Sequence, residues 1–523
     1  MEKRLRYPLD TASFQEIIEE GKLYVDKTAY IDSLVKGGKF YFLARPRRFG
    51  KSMLLDTLAC YFSNKRGLFK GLAIDRLQPE VWEEYPVLRF NLSSSSFLVK
   101  GNLSDKFLSQ ISRYARQYDI KTDGIGIEDM FYDLIVGLHE KIRKRVVVLI
   151  DEYDAPLTAT IDRPELQDIY RERLHGLYSV LKEADNHIRF CMLTGVTRYG
   201  KVSVFSGLNN LNDITFDDRY AGICGITEGE LSEFYAEGIG KFASENEISE
   251  EEAYSALKSH YDGYHFSRKM LDVYNPFSIN HALDKGIIKD YWCSSGAPTI
   301  FLKHLKEVDY NLDEMIGKSV NEASLSNLSV FTTNPIPLFY QTGYLTLKSF
   351  DKETKLYTIG FPNREVEEGL LRNILEVYVP ENEVDTDSYI YDMQESLKKG
   401  NPEKFIGLLK TFFAGIPTKL HTYVGRYENY YHTIIYSLLK LIGLKVYAEY
   451  ATSGGFIDIL VSTKDYIYVI ELKVNGTAEE GIKQIEKKGY SDSFAYDGQE
   501  IYEIGIGFSK QTQNIDSYLI RKA

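Results

Sequence analysis

Residues 145–154 read Arg-Val-Val-Val-Leu-Ile-Asp-Glu-Tyr-Asp, and no other stretch limits the fold so tightly. A continuous apolar run bounded by charge suits a strand buried on both faces, which belongs at the centre of a parallel sheet covered by helices. Residues 188–195, "IRFCMLTG", form a second such run. Between the two, residues 164–182 repeat their apolar side chains at helical spacing. Strand, helix and strand in alternation imply an α/β sheet built by crossovers. The first run ends in Asp151 and Glu152, so two adjacent acids are expected at the C-terminal edge of that sheet.

A third strand is expected at residues 39–44, "KFYFLA", followed by a turn and the helix-forming stretch "SMLLDTLACYFS". The turn between them is Arg45-Pro46-Arg47-Arg48-Phe49-Gly50-Lys51-Ser52. A phosphate-binding loop needs backbone N–H groups that converge on anionic oxygens, a lysine that reaches the outer phosphates, and a hydroxyl for Mg²⁺. Gly50 supplies the tight turn, Lys51 the charge and Ser52 the metal ligand. The glycine that normally opens such a loop is replaced by Arg45, which narrows the backbone's freedom there. Pro46 fixes its own φ, and Arg47 and Arg48 add positive charge.

Together with Asp151 and Glu152, this pattern reads as a site for ATP and Mg²⁺. Asp151 would hold the ion through water, and Glu152 would orient or deprotonate an attacking water. The plainer alternative is a chance Gly-Lys-Ser turn and a strand that ends in solvated acids. After the 188–195 run, Thr194 or Thr197 is placed to sense a γ-phosphate and Arg198 to neutralise its charge, with ordinary loop chemistry the alternative for each.

A chain of 523 residues implies about three domains. They are expected at 1–226, 227–377 and 389–523, with the acidic stretch 378–388 as a linker. Thr227 and Glu230 form a capping pair for one amphipathic helix through "TEGELSEFYAEGI". Residues 337–371 read helix, strand, turn, strand, helix, the order of a winged-helix element. A net charge of −12 argues against a protein coated with nucleic acid by bulk electrostatics, so any such contact would use local patches or metal ions. No apolar run reaches the ~18–20 residues that cross a bilayer, and no membrane association is expected. The N-terminus lacks a signal-peptide core and four scattered cysteines suggest neither disulfides nor zinc, so a cytoplasmic location is expected.

A different chemistry lies near the C-terminus, in "SGGFIDILVSTKDYIYVIELKVNG". Two β-rich runs flank a Thr-Lys-Asp turn and read as an antiparallel hairpin. A register symmetric about residues 464 and 465 sets Asp458 opposite Glu471, with Cβ atoms ~5 Å apart. Lys473 shares their face because side chains repeat every second residue. Opposed carboxylates weaken a sheet, and a divalent cation between them would remove that penalty. Hard oxygen ligands suit Mg²⁺ or Mn²⁺, which points to metal-assisted phosphodiester hydrolysis. A solvent-facing strand with alternating charges is the alternative. Ile457, Ile459, Ile470 and Leu472 face the other side in either case.

The strings "YVDKTAYI", "FLARPRRFGKSMLLDTL", "LIDEYDAPL" and "LTGVTRYGKVSVFSGLNNLNDIT" resemble the AAA-ATPase-like family of bacterial proteins that carry a C-terminal nuclease-like domain. "YDGYHF", "YNPFSI" and "FPNREV" extend the resemblance through the middle of the chain. It implies an α/β P-loop NTPase of the additional-strand, catalytic-Glu type, followed by a helical and winged-helix middle region. Arg45 is then the loop's usual residue. The implied ATP set is Arg48, Gly50, Lys51, Ser52, Asp151, Thr197 and Arg198, with Glu152 catalytic. "IDIL…VIELK" resembles the core of the PD-(D/E)XK nuclease superfamily. That resemblance implies catalytic roles for Asp458, Glu471 and Lys473, an accessory metal acid at Glu428 and a polar helper at Gln484, with an ordinary helix surface the alternative for the last two. Phe456 stands where many relatives have Arg or Lys. The implied partner is DNA or RNA, and a homo-oligomer is open. The competing reading is a nucleotide-dependent switch whose nuclease-like domain binds without cutting.

Overall fold

The computed structural model describes residues 5–93, 97–198, 204–205, 208, 210–294, 315–326, 334–378, 386–415, 427–496, 498–509, 511–512 and 514–523. Packing divides the chain into two units, Met1–Trp292 with Lys318–Val366, and Cys293–Gly317 with Glu367–Ala523.

The first unit is built on a five-stranded sheet of β1 (Phe40–Ala44), β2 (Val87–Asn91), β3 (Val146–Asp151), β4 (Ile188–Gly195) and β5 (Asn212–Asp213), in the order β2-β3-β4-β1-β5. Every neighbouring pair is parallel. β4 therefore lies between β1, which leads into the glycine turn, and β3, which ends in the acids. This is the additional-strand arrangement. β1 and β3 are buried along their whole length, as their unbroken apolar runs require. The helix Lys51–Phe62 follows β1, and the helix Pro164–Glu183 connects β3 to β4.

Thr227 and Glu230 form the expected reciprocal cap, but one helix becomes two, Glu228–Phe234 and Ala236–Glu245. Tyr235 between them leaves helical geometry at φ −114°, ψ 2°. Its hydroxyl donates to Asn280 Oδ1 at 2.9 Å in a buried cluster, a tertiary contact that replaces a continuous helical turn. A short antiparallel pair, β6 (Ile226–Thr227) with β7 (Val273–Tyr274), closes this helical region. Further on, β8 (Ser319–Val320), β9 (Thr346–Phe350) and β10 (Tyr357–Gly360) form a small sheet ordered β8-β10-β9. The helices Ile336–Thr342 and Arg364–Tyr378 flank its β9–β10 hairpin.

The second unit carries β11 (Lys445–Thr452), β12 (Gly455–Ser462), β13 (Tyr466–Val474), β14 (Glu500–Ser509) and β15 (Asn514–Lys522) as one mixed sheet in chain order. β12 and β13 pair antiparallel from Ile459↔Ile470 to Ser462↔Ile467. β13 and β14 run parallel, joined through the helix Ala478–Lys488. That helix lies close against β14 because Gly505 has no side chain, and a Cβ there would be 2.1 Å from the Ala478 carbonyl oxygen. Among the described residues no helix is long and apolar enough to cross a membrane. All four cysteines are buried.

Candidate functional site

The turn after β1 places two residues in left-handed conformation, Arg48 at φ 68° and Gly50 at φ 96°. Glycine adopts this freely, whereas a side chain there costs about 1–2 kcal/mol. The Lys51 ammonium folds back onto the carbonyls of Arg45 and Pro46 at 2.8 and 2.9 Å. Burial pushes its pKa down, against the pull of Asp151 and Asp154. Ser52 Oγ donates to Asp151 Oδ2 at 2.6 Å, and Thr194 Oγ1 donates to Asp151 Oδ1 at 2.7 Å. The parallel register explains the second bond, since Ile150 pairs with Leu193 and the next residues on each strand are Asp151 and Thr194. Glu152, at φ 52°, turns sharply off the strand end. Burial first, then the charge of Asp151, raises its carboxyl above the ordinary range, with Lys51 opposing.

Thr197 and Arg198 make their bonds elsewhere. Buried Asp154 accepts from the Thr197 hydroxyl, from Thr197 N at 2.6 Å and from Val196 N at 3.1 Å. Arg198 pairs with Asp213, donates to Ser326 Oγ and lies over the Phe216 ring. Thr194 is thus the hydroxyl that β4 brings to Asp151. Arg45 is fully buried, and its guanidinium donates to the carbonyls of Ala44, Thr215 and Tyr220 while stacking on Phe266 at 4.2 Å. It braces the loop from behind. The Arg48 guanidinium stacks on Phe277 at 4.1 Å.

A cavity of about 490 Å³ opens in front of Gly50, Lys51 and Ser52 and reaches Glu152. Its remaining walls come from Leu9, Leu23 and Val25 before the first strand, and from Ile226, Tyr235 and Phe277 far beyond the sheet. Sequence reasoning missed these residues. Each wall segment is short, and nothing local marks its apolar side chains as cavity lining rather than core. Asp154 was missed as well, although it is the third acid of Asp151-Glu152-Tyr153-Asp154.

In the second unit the register extends to the expected geometry. The β12–β13 ladder ends at Ile459 and Ile470, and the next facing residues are Asp458 and Glu471. There the side chains take over from the backbone. Asp458 N donates to Glu471 Oε1 at 3.3 Å, and Leu472 N donates to Asp458 Oδ2 at 2.8 Å. Lys473 Nζ lies 3.0 Å from Glu471 Oε2 and 4.0 Å from Asp458 Oδ2. The Glu471 side chain is 0% exposed, against 24% for Asp458. Burial, then the Asp458 charge, drives the Glu471 carboxyl upward, with Lys473 opposing.

Gln484 lies near the hydroxyl of Tyr490, whose oxygen would be 3.1 Å from a Cβ at Gly455. Phe456, at 58% exposed, presents its ring to solvent. Glu428 belongs to the helix Tyr427–Leu441, and its side chain lies outside the described residues.

Among the described residues no three His, Cys, Asp or Glu side chains form a ready metal cluster. The donor chemistry nonetheless fits a hard divalent ion, because two carboxylates converge where a cationic ammonium is already drawn between them. At the first site the Ser52 hydroxyl and Asp151 carboxylate fit Mg²⁺ in the same sense.

Residues 8–205 match the model of a predicted AAA-ATPase family, and residues 426–518 match that of the PD-(D/E)XK nuclease superfamily. A relative from Azotobacter chroococcum mcd 1, described as "Uncharacterized protein in vnfD 5'region", is 33% identical over 528 residues, covering 99% of each chain. The solved structure "Structure of the Aeropyrum Pernix ORC2 protein (ADPNP-ADP complexes)" aligns over 72% of this chain and 97% of that one, at 14% identity and a TM-score of 0.25. The chain belongs to the family of AAA-ATPase-like proteins that carry a C-terminal PD-(D/E)XK nuclease superfamily domain.

Proposed function

We propose that this protein binds and hydrolyses ATP in its N-terminal unit and cleaves nucleic acid with a divalent metal ion in its C-terminal unit. The observation that carries the reading is the convergence of Asp458, Glu471 and Lys473 within 4.0 Å, in a chain that also assembles Ser52, Asp151 and Glu152 beside a cavity of about 490 Å³. A cavity of that size suits a nucleotide.

In the N-terminal unit Lys51 would exchange the carbonyls of Arg45 and Pro46 for phosphate oxygens. Ser52 and Asp151 would hold Mg²⁺, and Thr194 keeps the Asp151 carboxylate oriented. Glu152, its proton affinity raised by burial, would take a proton from the attacking water. In the C-terminal unit Asp458 and Glu471 would hold Mg²⁺ or Mn²⁺. A bound ion there supplies the positive charge that activates water and steadies the phosphorane-like charge build-up. Lys473 would give up its place between the acids and neutralise phosphate oxygens.

The test is cleavage of a panel of single- and double-stranded DNA and RNA in Mg²⁺ or Mn²⁺, with and without ATP. Lys51→Ala and Glu471→Ala are run in parallel, and phosphate release is measured. Cleavage lost only in Glu471→Ala, with phosphate release lost in Lys51→Ala, supports both halves. A parent protein that cuts nothing under any condition leaves a binding module in place of a nuclease.

A further inference from the structure

The phosphate loop is held from outside by a residue 245 positions away. The Trp292 indole Nε1–H donates to the Arg47 carbonyl at 3.1 Å. Trp292 is itself fixed, because its backbone N–H donates to Glu365 Oε1 at 2.7 Å. The two oxygens of Glu365, a residue only 1% exposed, accept from Ser278 Oγ at 3.0 and 2.8 Å. Ser278 belongs to the helix Pro276–Lys285, whose Pro276 and Phe277 line the cavity in front of the loop.

The direction of this bond matters. No peptide in the described chain is cis, and in a trans peptide the C=O and N–H point opposite ways. With its carbonyl drawn outward to Trp292, the Arg47–Arg48 peptide turns the Arg48 N–H the other way. The next anchored peptide follows suit, since the Phe49 carbonyl accepts from Gly225 N at 2.9 Å and so directs the Gly50 N–H. A loop of this kind binds anions through the direction of such N–H groups.

We propose that Trp292 is a positioning residue for the phosphate loop, its indole N–H holding the Arg47–Arg48 peptide in the orientation that phosphate oxygens require, with Glu365 and Ser278 holding Trp292 in turn. The proposal rests on the ATP reading above. It differs from a packing role, in which Trp292 merely fills space against Tyr344, with ring centroids 5.1 Å apart, and beside Gly343.

Trp292→Phe separates the two, because it keeps an aromatic ring and removes the N–H. Binding of ATP and of adenosine to the full-length protein is measured by calorimetry, with thermal melting as a control. The expected result is ATP affinity about 3- to 10-fold weaker, the size of one neutral hydrogen bond, with adenosine affinity unchanged. Equal ATP affinity in parent and variant overturns the proposal, as does an equal loss for ATP and adenosine. Should Trp292→Phe fail to fold, Trp82→Phe leaves Trp292 as the sole tryptophan. Its emission is then expected to respond to ATP and not to adenosine, and identical responses to both overturn the proposal. A parent that binds no ATP sinks the functional reading itself, a result distinct from either.

Discussion

Glu365→Gln should stabilise the N-terminal unit at alkaline pH, by an amount that follows from where the carboxyl lies. Burial raises its pKa from 4.5 to about 8, and Asp290 adds to the rise. The backbone N–H groups of Trp292 and Tyr291 and the Ser278 hydroxyl pull it down without cancelling the effect. Below about pH 4.5 the group is protonated in both folded and unfolded chains and has no influence on stability. Between about 4.5 and 8 the folded protein keeps a proton that the unfolded chain has released, so stability falls by about 1.4 kcal/mol per pH unit. Above about 8 the full penalty of about 5 kcal/mol is in place.

Glutamine keeps an acceptor for Trp292 and cannot ionise. The stability difference between Glu365→Gln and the parent should therefore grow by about 4 kcal/mol between pH 5 and pH 8. The chain has two tryptophans, Trp82 and Trp292, and both belong to the unit that contains Glu365. Urea denaturation followed by tryptophan emission thus reports the right unit. A difference that stays flat from pH 5 to pH 8 would refute the burial argument.

Two further outcomes follow from the sites. Glu152→Gln should retain ATP binding by calorimetry while phosphate release drops by about 10²-fold or more, the scale of a lost general base. Gly505→Ala should weaken the C-terminal unit by about 1–3 kcal/mol, because the added Cβ meets a backbone carbonyl at 2.1 Å and not a yielding side chain. Circular dichroism during denaturation measures that loss.

The strands legible from sequence are those whose burial leaves no room for polar residues. β1 and β3 are buried on both faces, and an unbroken apolar run is the direct record of that. β2, at the sheet edge, was not visible. Its Arg89 and Asn91 are exposed while Leu88 and Phe90 are buried, and five residues of alternation stand out poorly from the surrounding chain. β5 has two residues and no pattern to read. The turn after β1 and the helix that follows it were legible because their residues lie together in sequence. Beyond the end of β4 the side chains are placed by contacts that lie elsewhere in the sequence, Thr197 by Asp154 and Arg198 by Asp213. The cavity walls fail for the same reason on a larger scale, being assembled from segments on both sides of the sheet in sequence.

The carboxylate hairpin shows how a correct register can coexist with an incomplete energetic account. Two facing acids in a strand pair repel, and from sequence alone a divalent ion is the obvious remedy. The chain supplies a remedy of its own. Where the backbone ladder stops, the N–H groups of Asp458 and Leu472 donate to the opposing carboxylates, and Lys473 places its ammonium beside both. Each acid thus replaces a missing ladder bond, so the pair can form before any ion arrives. Under the proposed function, a divalent cation would have to displace Lys473 and would not need to assemble the site. Under that same reading Lys473, two residues beyond Glu471, would hold the acids together in the empty site and turn to a phosphodiester in the loaded one.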